Sequence, residues 1–119
     1  MIIGILRVDF KQELRMSRRI TLPTDEIEAF CHRNHILSFG LFGSVLREDF
    51  DLGSDIDILV EFKQGQEPGL FRLIELQDEL SKMLGRKVDL VERRAVEKSE
   101  NYIRRRHILE SVEPIYVAR

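Results

Sequence analysis

A single cysteine, Cys31, excludes any internal disulfide, and no other cysteine or histidine stands at the spacing of a structural zinc site. Cys31 and His32 read as a helix surface or core edge. No apolar run approaches the length of a bilayer-spanning helix, and the opening run, 1–6, is too short for the apolar region of a secretory signal. An excess of either charge is also missing: 19 Lys and Arg against 21 Asp and Glu leave a net charge of −2. No global basic field therefore draws the chain onto DNA, RNA or an anionic membrane, and neither direct nucleic-acid binding nor membrane attachment is expected. Repeats and low-complexity segments are absent as well. The default compartment for such a chain is the cytosol.

What is present is 119 residues, 43% apolar and 34% charged, the composition of one globular domain with a single core. The first fifteen residues carry no turn signal, and Met16-Ser-Arg-Arg could itself be a start. Two readings stand: an N-terminal arm that adds an edge strand, or an upstream extension of a domain spanning 16–119. From Pro23 the signals are denser. Thr24 is placed as the N-cap of a helix whose apolar stripe, Ile27 and Phe30, runs up to Arg33. The pattern then predicts a buried strand over 36–42, a short helix over 44–48, a loop over 51–54 and a strand over 55–62. After a turn-rich stretch, an amphipathic helix carries Leu70, Leu73, Ile74, Gln77, Leu80 and Leu84 at helical spacing and stops at Gly85. A strand over 86–92 and a charged helix over 97–112, closed by Pro114, complete the chain. This order predicts an α/β (α+β) fold, a mixed β-sheet with helices packed against it.

One constellation carries chemistry. Gly43-Ser44 ends an apolar run, and ten residues later Asp55-x-Asp57 opens another. Successive strand side chains point to opposite faces, so Asp55 and Asp57 share a face, about 6.6 Å apart along the backbone, while Ile56, Ile58 and Val60 face a core. Two carboxylates converging on one place suit Mg²⁺, which takes oxygen ligands together with substrate phosphates. Gly-Ser before a short helix offers N–H groups and a hydroxyl to an anion. The bland alternative is two solvated residues on an exposed strand, but Asp is depleted in strands and these two are flanked by Ile, Leu and Val. A calcium loop through Asp49, Asp51, Asp55 and Asp57 fails on order, because Gly53 and Ser54 stand where a ligand and the turn glycine belong. Arg47 is either a surface partner of Glu48 or, one turn beyond Ser44, a phosphate contact. Arg104-Arg-Arg-His107 lies among Glu97, Glu100 and Glu110 and reads as a solvated face or a partner surface.

The set Leu-Phe-Gly43-Ser44, Arg47, Ser54, Asp55-x-Asp57 resembles the G-S-x10-D-x-D signature of minimal nucleotidyltransferases, members of the DNA polymerase beta-like superfamily. The resemblance extends from about Thr21 to Val117. It implies a third carboxylate on a later strand, for which Lys87-Val-Asp-Leu-Val91 supplies Asp89; a turn partner or an ion pair with Arg86 or Lys87 is the alternative reading of Asp89. It further implies ATP as substrate, with Gly43 and Ser44 on its β and γ phosphates. Two Mg²⁺ ions held by Asp55, Asp57 and Asp89 would sit about 4 Å apart on the attacking and leaving oxygens. Single-domain members of this size resemble the antitoxin half of HEPN/MNT toxin–antitoxin pairs, which implies AMP transfer to a tyrosine of a HEPN-type toxin protein. None of His32, His35 and His107 has an arginine at the upstream spacing of the toxin's Arg-x(4–6)-His motif. Two other classes remain open: a non-catalytic module that covers its partner, and transfer to a small molecule in a pocket completed by a homo-oligomer. No residue can be assigned to a base edge.

Overall fold

The computed structural model describes residues 22–43 and 55–118. In chain order these form helix α1 (Thr24–Arg33), strands β1 (Ile36–Phe42) and β2 (Ile56–Phe62), helix α2 (Leu70–Leu84), strand β3 (Val88–Glu92), the short helix α3 (Arg93–Glu97), helix α4 (Tyr102–Ser111) and strand β4 (Glu113–Val117). The strands make one sheet in the order β3-β2-β1-β4. β1 is antiparallel to β2 and β4, whereas β3 is parallel to β2 and is reached through the crossover helix α2. The mixed sheet with packed helices is the class predicted from the order of signals. The N-terminal extension over 1–15, the helix over 44–48 and the loop over 51–54 lie outside the described residues.

Period-two alternation on β2 builds two apolar layers. Ile56, Ile58, Val60 and Phe62 face the main core, with Ile27 and Phe30 of α1, Leu76 and Leu80 of α2, and Val88 and Leu90 of β3. On the opposite face Leu59 and Phe42 meet Val96 of α3 and Ile108 of α4. A sheet covered on both faces explains why β2 reads as almost continuous apolar sequence. Asp57 and Glu61, both half-buried, are its polar interruptions.

Several expectations are corrected. Leu70 and Ile74 of α2 face outward, 70% and 45% exposed, and the buried line runs instead through Leu76 and Leu80, with Leu73, Met83 and Leu84 beside it. The reason is polar. Gln77 Oε1 accepts the Leu90 N–H at 2.9 Å and Ser81 Oγ accepts the Val88 N–H at 3.0 Å, so α2 is turned to satisfy the outer edge of β3. This also blunts an edge that would otherwise pair with another strand. β3 begins at Val88, not 86, because the Arg86 N–H donates back to the Ser81 carbonyl and closes the turn after Gly85. Gly85 itself ends α2 with φ 68°, as predicted. Thr24 is the first residue of α1 rather than its cap; Pro23 holds the capping position, without a side-chain cap bond.

The charged helix expected over 97–112 starts only at Tyr102, as α4, and the separate short helix α3 precedes it. Asn101 caps α4, its Oδ1 accepting the Arg104 N–H at 3.0 Å, while its own N–H donates to Ser99 Oγ at 3.2 Å. Ser and Asn side chains compete in this way with the helical backbone. Pro114 then enters β4 on the sheet edge, where the missing N–H is tolerated. β4 pairs along β1 from Ser38↔Val117 to Leu41↔Glu113, and His32 of α1 packs edge-to-face on Tyr116, centroids 5.9 Å apart. A Cβ on Gly40 would meet Val112 Cγ1 at 2.5 Å, so this glycine lets the α4–β4 junction approach the sheet.

Candidate functional site

Strand register decides the site. Asp57 of β2 stands directly opposite Phe42 of β1 on one side and Asp89 of β3 on the other. Opposed residues share a face, so Asp57 and Asp89 project from the layer that carries Leu59 and Phe42, at the margin where α3 and α4 no longer cover the sheet. Asp57 is half-buried and Asp89 exposed. Asp55 lies just before β2, two residues from Asp57 and on the same face by alternation. The Ile56 N–H donates to the Lys87 carbonyl at 2.9 Å, which extends the parallel ladder to this end and fixes Asp55 beside β3. Lys87 Nζ is 4.0 Å from Asp55 Oδ2, with both side chains substantially exposed. Such a pair contributes little to stability. It is with Asp55, not Asp89, that Lys87 pairs.

Gly43 closes the third side. It leaves β1 with φ 74°, a left-handed conformation that favours glycine, and a Cβ there would collide with Asp57 Oδ2. The backbone at Gly43 therefore passes directly over the Asp57 carboxylate. Across the sheet the order is Gly43, Asp57, Asp89: a bare stretch of main chain, then two carboxylates on neighbouring strands. Ser44 and Arg47 lie outside the described residues.

The clamp on β3 belongs to the site as well. The N–H groups taken by Ser81 and Gln77 are those of Val88 and Leu90, the two neighbours of Asp89, so helix α2 sets the backbone on which that carboxylate stands. The pattern placed Gln77 on an apolar stripe; its polar end was the available signal for this role.

Among the described residues no three His, Cys, Asp or Glu side chains form a ready-made metal cluster. The donor set fits Mg²⁺ in a different way: an ion held by one or two carboxylates and completed by the phosphates of a bound substrate. Gly43 supports that fit, because the space over Asp57 is one a side chain would fill. Cys31 is no rival nucleophile. It is fully buried, and burial, with a smaller effect of Glu28, pushes its thiol up to about 12.

Residues 25–112 match the model of the nucleotidyltransferase domain. The chain belongs to the nucleotidyltransferase domain family. It is 41% identical over 61 residues to a Methanocaldococcus jannaschii protein provisionally named a protein adenylyltransferase, covering 51% of this chain and 61% of that one. It is 43% identical over 56 residues to the protein adenylyltransferase MntA of Thermococcus cleftensis, covering 47% of this chain and 54% of that one. The chain thus spans between half and two thirds of the length of these relatives. Among solved structures, a toxin–antitoxin complex with AMP-PNP contains a chain of similar fold, with TM-score 0.63 and 21% identity over 82% of this chain and 76% of that one. A tri-AMPylated Shewanella oneidensis HEPN toxin in complex with MNT antitoxin gives TM-score 0.55 and 21% identity, covering 80% of this chain and 70% of that one. At such identity these likenesses speak to the nucleotidyltransferase fold alone. No helix among the described residues is long and apolar enough to cross a membrane.

Proposed function

We propose that this nucleotidyltransferase domain transfers AMP from ATP to a hydroxyl of a partner protein, and that the partner is a HEPN-type toxin which the modification silences. The observation that carries this reading is Gly43 lying over Asp57, with Asp89 paired to Asp57 across the sheet. The relatives' names support protein adenylyl transfer, and the toxin–antitoxin complexes support the partner class.

The roles divide by position. Gly43 and Ser44 hold the β and γ phosphates through N–H groups and a hydroxyl, with Arg47 on a phosphate oxygen. Asp55 and Asp57 would hold one Mg²⁺ and, with Asp89, a second; such ions would supply charge neutralisation for the triphosphate and for the reacting oxygens. Asp89, at the open margin, accepts the acceptor's proton. The acceptor oxygen forms its bond to the α-phosphorus as the bond to the bridging oxygen breaks, and pyrophosphate carries off the electron pair. Such chemistry is mostly positioning and charge neutralisation, which is why a small domain can hold all of it.

The test combines calorimetry with intact-mass spectrometry. ATP should bind with Mg²⁺ and little in excess chelator, and a co-expressed HEPN-type partner should gain one or more AMP units. An Asp55→Ala, Asp57→Ala variant should still bind that partner but add no mass. If this variant silences the partner as fully as the parent chain, and the parent adds no mass, the chain acts by covering its partner instead.

A further inference from the structure

A hollow of about 250 Å³ opens between α3, α4 and β3, lined by Val91, Ala95, Val96, Ser99, Arg104, Arg105 and Ile108. Its floor is apolar. Arg104, Arg105 and Ser99 are its polar lining residues, and no Asp or Glu lines it. Val91 is two residues beyond Asp89 on the same strand, hence on the same face and about 7 Å along. The hollow therefore adjoins the site while forming no part of the Gly43–Asp57–Asp89 row.

Its side of the site is informative. In an in-line displacement the attacking and leaving groups lie on opposite sides of the α-phosphorus. Gly43, on the β1 side of Asp57, marks the leaving pyrophosphate; Asp89, on the β3 side, marks the attacking oxygen. The hollow lies on the β3 side. Pockets for whole drug-sized ligands run from about 300 to 1,000 Å³, so this one suits a single inserted side chain better than a nucleotide.

Its charge narrows the choice further. Of the neighbouring carboxylates, Glu97 is engaged by Arg93, Glu67 by Arg94 and Glu110 by Arg106. Arg105 is held by the Ser99 carbonyl at 2.9 Å and stacks on the Tyr102 ring at 5.3 Å, so its guanidinium is fixed beside the hollow. Arg104 is exposed and its side chain makes no hydrogen bond or ion pair among the described residues. Fixed and unpaired guanidiniums over an apolar floor complement carboxylates flanking an apolar or aromatic residue.

We propose that this hollow is the acceptor subsite, and that it seats a hydroxyl-bearing aromatic side chain presented by an acidic protein segment, with Arg104 and Arg105 selecting the acidic flanks. The proposal rests on the transfer reading above for the role of the site, but its charge selectivity can be measured without turnover. Fluorescein-labelled peptides with a central tyrosine flanked by glutamates, or by lysines, are the probes. Fluorescence anisotropy should give preferential binding of the glutamate peptide to the parent chain. Arg104→Glu should weaken that binding about tenfold or more, as expected when a charged hydrogen bond is replaced by repulsion. Arg105→Gln, which keeps a donor for the Ser99 carbonyl, should weaken it less. Calorimetric affinity for ATP with Mg²⁺ should stay unchanged in both variants. Equal binding of the two peptides, or binding of neither, overturns the subsite; a loss of ATP affinity in Arg104→Glu assigns the hollow to the nucleotide instead. Failure of the transfer reading would look different: no mass gain on any acceptor, with peptide selectivity intact.

Discussion

Replacing Gly43 with alanine separates backbone strain from the close approach that defines the site. At φ 74° a non-glycine residue costs about 1–2 kcal/mol in backbone conformation alone. The new methyl would also overlap Asp57 Oδ2, forcing the carboxylate to rotate or β1 to shift. Couplings between residues in direct contact run to about 0.5–3 kcal/mol, so the whole cost should be about 1.5–5 kcal/mol. At about 4 °C per kcal/mol for a domain of this size, the thermal midpoint followed by circular dichroism should fall by about 6–20 °C. A double-mutant cycle isolates the contact: in an Asp57→Ala background Gly43→Ala should cost only the strain, about 1–2 kcal/mol. Affinity for ATP with Mg²⁺ should be lost in Gly43→Ala as in Asp57→Ala, because the displaced carboxylate is the one that Mg²⁺ needs. Additive costs in the cycle would refute the contact, and an unchanged midpoint would refute both the contact and the left-handed backbone.

Gln77→Leu keeps the volume near β3 but leaves the Leu90 N–H without its acceptor, which should cost about 1–3 kcal/mol in urea denaturation and weaken transfer by loosening Asp89; a neutral effect on both would refute the clamp. Asn101→Ala removes the cap of α4 and should cost about 1 kcal/mol, while Asn101→Asp should restore most of it, both read by thermal denaturation. Cys31 should ignore a thiol reagent at pH 8 in the native protein and react fully in denaturant, because it is buried and its thiol is held neutral. The unfolded chain releases that proton from about pH 9.0 whereas the folded chain keeps it to about 12, so the Cys31 contribution to stability declines as pH rises through that window. Urea titrations at pH 8 and pH 10 should show a larger loss for the parent chain than for Cys31→Val, and equal losses would refute it.

Sequence by itself determined the features whose physics is local. Period-two alternation put Ile56, Ile58 and Val60 on a core face and Asp55 with Asp57 opposite, and that is how β2 lies. The spacing marked Gly43 with Asp55 and Asp57 as one site, whereas the close approach of Gly43 to Asp57, at φ 74°, is a fact of the fold. Helix α2 and its stop at Gly85 were legible for the same reason, since periodicity and a left-handed cap act within a few residues. Non-local pairings were decided by the tertiary structure. β4 has five residues, includes a proline, and becomes a strand by bonding to β1, some seventy-five positions earlier in the chain. The late start of the last helix turned on Asn101 and Ser99 competing for backbone groups, and the inward face of α2 turned on Gln77 and Ser81 finding the N–H groups of β3. Asp89 could be named from its motif, but only the parallel register sets it opposite Asp57. The hollow beside Asp89 left no linear signature at all, because its walls come from one strand and two helices that the sheet brings together.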